Sequence, residues 1–397
     1  MPLPLDGMVV ADFSRVLAGP LATMTMADLG ATVVKVEHPE HGDDTRHWGP
    51  PWTGSSSSYF ESANRSKLSV GLDLKVPTDL ELARELALRA DVLVENFRVG
   101  TLARLGLGYA DVSLTNPAVV YCSISGYGTG AGADLPGYDF VAQAVGGLMS
   151  ITGEADGEPT KAGVALVDVL TAKDALIGVL AALRTRDTSG RGQHVEVNLL
   201  STLLGSMANQ ASSYLTTGKP PGRMGNRHPS IAPYETLRCR DGLLAVACGN
   251  DRQFRRLAAM LEIPEAASDE RFATNAARVE NREALVALLE QQLSLNDAAL
   301  WEQMLIAADV PAGRVADLAG AFDRAERLGL APTVPVGGHP PQVAHPIRYS
   351  GMNPRHPTAP PGRGEHDAQV RRWLTEEGSA VDTLANGLNP EAGRSEP

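Results

Sequence analysis

Short hydrophobic segments rich in Val, Ile and Leu recur along the first 125 residues, with helical or polar segments between them. Their length and pattern predict five β-strands, at 8–13, 31–37, 68–74, 91–97 and 118–128. A helix follows the first strand, because Gly19-Pro20 favours a helix start and Gly30 a helix end. Helices that connect hydrophobic strands are typical of βαβ units, so we predict an α/β fold with a parallel sheet and helices on both faces.

The residues that follow the predicted strands are the first candidates for a binding site, because parallel sheets bind ligands at the carboxyl ends of their strands. These residues are 14–18, 38–46, 75, 96–98 and 126–130. Seven basic side chains occur in this part of the chain, and most of them lie at or near these strand ends. The seven are Arg15, Lys35, Arg46, Lys67, Lys75, Arg98 and Arg104. Each alone is typical of a solvated surface. Together they favour a small polyanionic ligand.

The pattern changes beyond residue 160. A long apolar helix at 172–184 continues the first domain, and the Gly- and Pro-rich residues 219–235 are typical of a linker or a mobile loop. A hairpin turn at Asp241-Gly242 and three helical patterns follow this loop. We therefore predict two domains, a large one of residues 1–218 completed by 326–397, and a small α+β domain of residues 219–325.

Composition and charge narrow the class of protein. The chain has 397 residues, 43% of them hydrophobic, and its 35 basic and 47 acidic side chains give a net charge of −12. This composition is typical of a folded protein, and the lack of a basic cluster argues against binding to nucleic acid or to a membrane surface. Three widely spaced cysteines, no apolar stretch of membrane-spanning length and no visible signal peptide favour a cytoplasmic location.

Asp168 is the principal candidate for a catalytic side chain. It follows a short apolar segment and precedes the long apolar helix. It is either an aspartate that favours the helix start, or a carboxylate nucleophile beside backbone N–H groups that also stabilise an oxyanion. The sequence contains no GxSxG motif, no GxxxxGKS or GxxxxGKT phosphate loop and no HExxH pair. Its nine histidines show no metal-ligand spacing.

Eight segments occur in order along the chain, and they are PLDGMVVADFSRVLAGP, LGATVVKVEHPEHGDDTR, YFESANRSKLSVGLDLK, DVLVENFRVGTLARLG, ISGYGTGAG, GYDFVAQAVGGLMSITG, DVLTAKDALIGVLAAL and TSGRGQHVEVNLL. Together they resemble the class III coenzyme A (CoA) transferases, the family of formyl-CoA:oxalate CoA-transferase and carnitine CoA-transferase. The resemblance extends from Pro4 to the segment around Gly364 and so covers nearly the whole chain.

This resemblance implies a fold, a set of substrates and an assembly. The fold is a large Rossmann-like CoA-binding domain with a parallel sheet, built from both ends of the chain, and a smaller α+β domain. Acyl-CoA and a small carboxylic acid are the substrates, and no cofactor is bound permanently. The assembly is a homodimer in which two subunits are threaded through each other as interlocked rings.

The resemblance also implies which residues act. Asp168 matches the family's catalytic aspartate. The positions that match CoA contacts or lie near the acyl site are Val16, Ala18, Lys35, His38, Leu72, Asp73, Lys75, Asn96, Phe97, Arg98, Arg104, Tyr138 and Asp139. His38 replaces an arginine of the formyl-CoA transferases, so Lys35, Arg46 or another cation is expected to bind phosphate there.

The implied reaction passes through covalent intermediates on Asp168. Its carboxylate attacks the donor thioester to form an aspartyl-acyl anhydride, which the CoA thiolate converts into an aspartyl-CoA thioester, and the acceptor acid reverses these steps. Because both intermediates hydrolyse readily, a lid is expected, and residues 222–234 are the candidate. Arg223, Arg227 and His228 in this loop are candidates for binding the second carboxylate of a dicarboxylic acid such as succinate.

Three alternatives remain open. α-Methylacyl-CoA racemases share this fold but move a proton, and they carry a histidine where this chain has Tyr138. A tyrosine, whose ordinary pKa is about 10, is a poor base at neutral pH. A CoA-binding protein without turnover is the second alternative, which an intact Asp168 disfavours. Dehydration or lysis after thioester formation is the third.

Overall fold

The computed structural model describes residues 2–54 and 56–376, together with residues 381 and 384. The described strands are β1 (Val9–Asp12), β2 (Thr32–Glu37), β3 (Trp52–Thr53), β4 (Ser56–Ser57), β5 (Lys67–Gly71), β6 (Val92–Glu95), β7 (Val120–Ser125), β8 (His194–Asn198), β9 (Tyr234–Arg238), β10 (Leu243–Ala247), β11 (Ala312–Arg314), β12 (Thr333–Val336) and β13 (His339–Val343). The described helices are α1 (Ala18–Asp28), α2 (Ser58–Glu61), α3 (Pro77–Arg89), α4 (Tyr109–Thr115), α5 (Asp139–Val145), α6 (Leu148–Ile151), α7 (Leu166–Ser189), α8 (Leu199–Ser206), α9 (Ala208–Thr217), α10 (Asp251–Met260), α11 (Asn275–Glu280), α12 (Arg282–Leu293), α13 (Ala298–Ala307), α14 (Leu318–Arg327) and α15 (Asp367–Thr375).

The chain forms two compact units. The first comprises Met1–Leu148, Ala162–Gly218 and Ala331–Pro397, and the second comprises Met149–Lys161 and Lys219–Leu330. These bounds differ from the predicted ones at 149–161 and at 326–330, both of which belong to the second unit. The N–H of Gly225 donates to the carbonyl of Gly153 at 2.9 Å and ties the first of these segments to the chain after residue 219. Part of the predicted C-terminal portion, at 377–380, 382–383 and 385–397, lies outside the described residues.

A six-stranded parallel sheet is the centre of the first unit. Its strand order is β5-β2-β1-β6-β7-β8. The chain proceeds outward from β1 to β2 and β5, then returns to the other side of β1 with β6 and continues outward to β8. The order therefore reverses between β1 and β6, which is where open parallel sheets form a ligand crevice at the carboxyl ends of their strands. The predicted α/β fold with a large parallel sheet is confirmed.

Both faces of this sheet are covered, which explains why its strands are hydrophobic throughout. On one face Val9 packs in a buried cluster with Leu86 of α3. On the other face Val10 packs with Met26 of α1 and Val179 of α7. Each such side chain, when fully buried, contributes about 1.5–3 kcal/mol to folding. Two continuous cores thus hold the strand ends in place.

The second unit contains the three-stranded antiparallel sheet β11-β10-β9. The predicted hairpin is present, because β9 and β10 pair antiparallel on either side of Asp241-Gly242. Phe254 of α10, Leu289 of α12 and Trp301 of α13 form the core beneath this sheet. No helix in the described part of the chain is long and apolar enough to cross a membrane.

Candidate active site

A crevice of about 490 Å³ opens at the carboxyl ends of β1, β6 and β7, within the first unit. We name it the switch-point crevice, and its walls are Arg15–Ala18, Asp44, Asn96–Val99, Ile124–Gly128, Gly132–Tyr138, Asp168 and Leu199. The structure brings together here the predicted residues Val16, Ala18, Asn96, Phe97, Arg98, Tyr138 and Asp168. These residues come from four separate segments of the sequence, so they meet only because the strand order reverses at this point.

The loop after β1 forms one wall of the crevice, and hydrogen bonds hold its backbone. The side chain of Asn96 accepts from the N–H of Arg15 at 2.8 Å and donates to the carbonyl of Arg15 at 2.7 Å. The carboxylate of Asp43 accepts from the N–H of Val16, which lies 3.3 Å from each oxygen. Val16 has a φ of 70°, in the left-handed region that β-branched residues rarely adopt. The wall is thus a backbone surface fixed by side chains of two other loops.

Asp168 lies in the first turn of α7 and reaches the crevice. The helix begins at Leu166, earlier than residue 172, where the hydrophobic pattern predicts its start. Val167 is buried beside Leu199 of α8, and this contact anchors the first turn. Asp168 is therefore presented by a rigid helix rather than by a loop.

The carboxylate of Asp139 binds the N-terminus of α7. It accepts hydrogen bonds from the N–H groups of Val167 at 2.7 Å and Asp168 at 3.2 Å, and from the side-chain amide of Gln143 at 2.6 Å. The N–H groups of Leu166 and Val169 donate to nearby backbone carbonyls. Because these first-turn N–H groups already have partners, the structure gives no support to the expectation that they stabilise an oxyanion, which stays a prediction.

Asp139 remains a predicted site residue, but its side chain is placed differently from those that line the crevice. Its side chain is buried and faces the helix N-terminus, and it does not line the crevice. Its effect on the site is electrostatic. Burial of the carboxyl group, together with the negative charge of Asp139, raises the pKa of Asp168 from its ordinary value of 3.8 to about 7. Asp168 is thus about half ionised at neutral pH, and its carboxylate is more basic than that of an ordinary aspartate.

We expect Asp168→Asn to stabilise the free enzyme at pH 8. The folded-state pKa lies above the unfolded-state value, so ionisation of Asp168 costs the folded state free energy above both values and nothing below both. The uncharged amide removes this cost, which is on the order of 4 kcal/mol for a pKa shift of this size. Urea unfolding at pH 8 and pH 4 measures it, and the gain should vanish toward pH 4. A gain that is equal at both values, or is matched by Asp44→Asn at the exposed rim, would contradict the assignment.

Tyr59 belongs to the same region, although sequence analysis did not select it. Burial, followed by the negative charges of Asp168 and Asp139, raises the pKa of its phenol, so the group remains a hydrogen-bond donor. Its ring makes an edge-to-face contact with Trp48 at a centroid distance of 5.3 Å. Tyr59 lies in a polar, Gly- and Ser-rich segment whose pattern predicts no element. Its place near Asp168 is therefore visible only in three dimensions.

Besides Asp139 and Lys35, five predicted CoA-binding residues lie outside the crevice lining, namely His38, Leu72, Asp73, Lys75 and Arg104. His38 and Asp73 follow the neighbouring strands β2 and β5, and their side chains approach to 4.0 Å. Lys75 and Arg104 are at least partly exposed near strand ends of the same sheet, and they remain predicted contacts. The side chain of Leu72 is 2% exposed and packs in the core, so its predicted contact with CoA, which remains a prediction, would involve the backbone.

Lys35 and Arg46 do not line the crevice, and their assignment to CoA phosphate remains a prediction that their buried contacts do not favour. The ammonium of Lys35 is 0% exposed, pairs with Asp43 at 2.9 Å and donates to the carbonyl of Ser14 at 3.0 Å. The guanidinium of Arg46 is buried against Glu37, with contacts of 2.7 and 2.6 Å. These cations have acidic partners that come from other parts of the sheet and its loops.

The basic residues of the loop 222–234 have partners in the second unit. Arg227 pairs with Glu283 at 2.5 Å and lies 3.5 Å from Glu235. Arg223 donates to the backbone carbonyl of Gly157 at 2.7 Å. Arg227 thus has two acidic partners within the unit, whereas the printed acceptors of Arg223 are backbone carbonyls, and the binding of a substrate carboxylate by these residues remains a prediction.

Comparison with known proteins identifies the class. The chain matches CoA-transferase family III over residues 5–367. It is 43% identical to the succinate–glutarate CoA-transferase of Agrobacterium fabrum, covering 92% of this chain and 94% of that protein. It is 39% identical to the acetyl-CoA:oxalate CoA-transferase of Acetobacter aceti, with coverages of 90% and 92%. Its structure is similar to that of a CaiB/BaiF family protein from Brucella suis, with a TM-score of 0.85, 44% identity and coverages of 94% and 100%.

Relatives of this similarity, which span nearly the whole chain and are named for one type of reaction, make the protein an enzyme of the CoA-transferase class. The chain belongs to CoA-transferase family III. The predicted family, fold class and enzyme class are confirmed by these comparisons together with the six-stranded parallel sheet.

Proposed function

We propose that this enzyme transfers CoA from an acyl-CoA to a carboxylic acid through covalent intermediates on Asp168. The observation that carries the proposal is a carboxyl group of raised pKa on the wall of a crevice at the switch point of a parallel sheet. A carboxylate of this basicity is ionised to a useful fraction at neutral pH and is a better nucleophile than an ordinary aspartate. Its rigid helix holds it in one orientation toward a bound thioester.

The proposed reaction begins when the Asp168 carboxylate attacks the thioester carbonyl. The C–S bond breaks, and the CoA thiolate leaves with the electron pair, which yields a mixed anhydride. The thiolate then attacks the Asp168 carbonyl carbon, the anhydride C–O bond breaks, and the donor acid leaves as a carboxylate. The acceptor carboxylate attacks the carbonyl carbon of the resulting aspartyl thioester, whose C–S bond breaks, so that CoA thiolate is released and a second mixed anhydride forms. The thiolate attacks the acceptor's acyl carbon in this anhydride, and the C–O bond to the Asp168 carboxylate breaks. This last step forms the product acyl-CoA and restores the Asp168 carboxylate, with no net change in protons.

Trapping the intermediate tests this proposal. The intact mass of the protein is measured after incubation with succinyl-CoA, followed by hydroxylamine or borohydride, for the native enzyme and for Asp168→Ala. The expected result is a modification on Asp168 that is absent from the variant. Absence of any adduct, combined with deuterium exchange at the α-carbon of a branched acyl-CoA, would overturn the proposal in favour of racemase chemistry.

We further propose that the acids are dicarboxylic. The relatives named above act on succinate, glutarate or oxalate, each of which carries two carboxylates. The crevice that contains Asp168 also contains Arg15, whose guanidinium is 49% exposed, lies 3.6 Å from Asp44 and packs 5.3 Å above the ring of Phe97. This long ion pair leaves donors of Arg15 available for the second carboxylate of the acid.

We expect Arg15→Gln to lower activity with succinate by about tenfold more than activity with butyrate, because only succinate loses a charge-assisted hydrogen bond. The measurement is kcat/KM for both acceptors with one common donor. Arg98→Gln is the matched control, since Arg98 lines the same crevice but already donates to the carbonyl of Asp134 at 3.1 Å. An equal loss for both acids in Arg15→Gln would remove the assignment.

The interlocked homodimer and the cytoplasmic location remain proposals. Exposed hydrophobic side chains on helices of the first unit support a partner subunit, and they include Phe140 and Val145 of α5 and Leu215 of α9, which are 56%, 62% and 81% exposed. Surfaces of this kind are typical of protein interfaces. Sedimentation equilibrium tests the assembly, and a monomer at micromolar concentration would contradict it.

A further inference from the structure

The conformation of Val16 is an unfavourable one that the rest of the structure maintains. Its φ of 70° lies in the left-handed region, which costs a β-branched residue free energy. Residues held in such conformations persist only where their surroundings over-determine them, and they cluster at ligand sites. Val16 also lines the switch-point crevice. The strain is therefore located on a wall of the candidate active site.

The buried ion pair between Lys35 and Asp43 holds Val16 in this conformation. Both oxygens of the Asp43 carboxylate lie 3.3 Å from the N–H of Val16. The Lys35 ammonium lies 2.9 Å from the same carboxylate and donates to the carbonyl of Ser14 at 3.0 Å. Lys35 thus fixes the carboxylate that holds Val16, and it also fixes the residue two positions earlier. Lys35 therefore contacts the backbone of the loop at Ser14, and Asp43 contacts it at Val16.

The burial of this ion pair does not by itself make it a source of stability. The side chains of Lys35 and Asp43 are both 0% exposed. Removing two charges from water is costly, and a hydrophobic pair of similar size often stabilises a fold equally well. The attraction between them keeps both charged, since Lys35 lowers the pKa of Asp43, although burial opposes this. A charged carboxylate accepts a stronger hydrogen bond from the strained N–H than a neutral oxygen does.

We propose that Lys35 and Asp43 are positioning residues, which as an ion pair hold Val16 in its left-handed conformation and so shape the wall of the crevice that receives acyl-CoA. The identity of the ligand rests on the proposed function. Neither side chain touches the substrate. Their effect is transmitted through the backbone of Val16, so their loss is expected to weaken CoA binding more than it slows the chemical step on Asp168.

The test uses the rescue of one variant by a second substitution. Asp43→Asn is expected to raise the KM for succinyl-CoA and the Kd for CoA by about tenfold, with kcat changed less than about threefold. Glycine adopts positive φ without penalty, so adding Val16→Gly to Asp43→Asn is expected to recover most of the lost affinity. Glu262 also has a positive φ, of 59°, but lies in the second unit, so Asp43→Asn with Glu262→Gly is the matched control and is expected to show no recovery.

A second variant keeps the test decisive if Asp43→Asn fails to fold. Val16→Pro leaves the ion pair intact but locks φ near −65°, and it is expected to weaken CoA binding by about tenfold as well. CoA binding is measured directly by titration calorimetry, so it does not depend on turnover. Unchanged affinity in Val16→Pro, or failure of Val16→Gly to rescue a folded Asp43→Asn variant, would overturn the inference. Failure of the proposed function would instead show as a missing adduct on Asp168 in an enzyme that binds CoA normally.

Discussion

Replacing Asp168 by Asn should abolish CoA transfer, with a fall in kcat of at least about a thousandfold. The amide has nearly the same shape as the carboxyl group, but it is too weak a nucleophile to form an anhydride with the donor. Steady-state turnover of succinyl-CoA and an acceptor acid, followed by separation of the CoA esters, measures this loss. The variant should also fail to give the trapped adduct, which ties the loss to the covalent step.

Binding of CoA separates a chemical loss from a structural one. The Asp168→Asn variant is expected to bind CoA with an affinity within about threefold of the native enzyme, because the crevice walls do not depend on this charge. Asp174→Asn is the matched control in the same helix. The Asp174 carboxylate accepts from Thr202 at 2.7 Å and does not line the crevice, so near-normal turnover is expected. Residual activity of a few per cent in Asp168→Asn, or an equal loss in Asp174→Asn, would contradict the nucleophilic role.

Most of the parallel sheet could be predicted from the sequence, because buried strands are continuous hydrophobic runs that end in turns. The strand ends were less predictable. The apolar run 91–97 continues past the end of β6 at Glu95, where the Glu95 carboxylate accepts from the N–H of Phe97 at 2.9 Å and turns the backbone. The early start of α7 at Leu166 has a similar cause, since Asp139, far away in the sequence, binds its first N–H groups. The hydrophobic pattern of a segment gives no information about partners that lie far away in the sequence.

Distant partners also explain why some of the candidate site residues line the crevice, whereas others are buried away from it. Val16, Asn96 and Asp168 were found because they follow strands or begin a helix, and those positions meet at the switch point. Lys35 has the right charge near a strand end, but its side chain points inward. The pairing of β1 with β2 places Asp12 opposite Lys35, and this register is a property of two strands together. The sequence shows which side chains are charged, whereas the direction in which such a side chain points depends on how the strands pair.

Replacing Asp139 by Asn should shift the pH dependence of the reaction. Native activity is expected to fall below pH 7, about tenfold per pH unit, as Asp168 becomes protonated. The asparagine oxygen still accepts from the N–H groups of α7, but the negative charge beside Asp168 is gone. Because burial is the larger cause of the raised pKa, the acid limb should move down by less than half of the total pKa shift.

The profile of kcat/KM between pH 5 and 9 measures this shift. Asp44→Asn is the control, since Asp44 lines the crevice without contributing to the pKa of Asp168. Loss of the acceptor for Gln143 should also destabilise Asp139→Asn by about 1–2 kcal/mol, so thermal unfolding is measured alongside.

A carboxylate of lower pKa is a weaker nucleophile, and the variant should be slower than the native enzyme on the plateau yet lose less activity at pH 6. A purely structural role for Asp139 would lower activity by the same factor at every pH, so a change in the shape of the profile is what distinguishes electrostatic tuning from support of the helix.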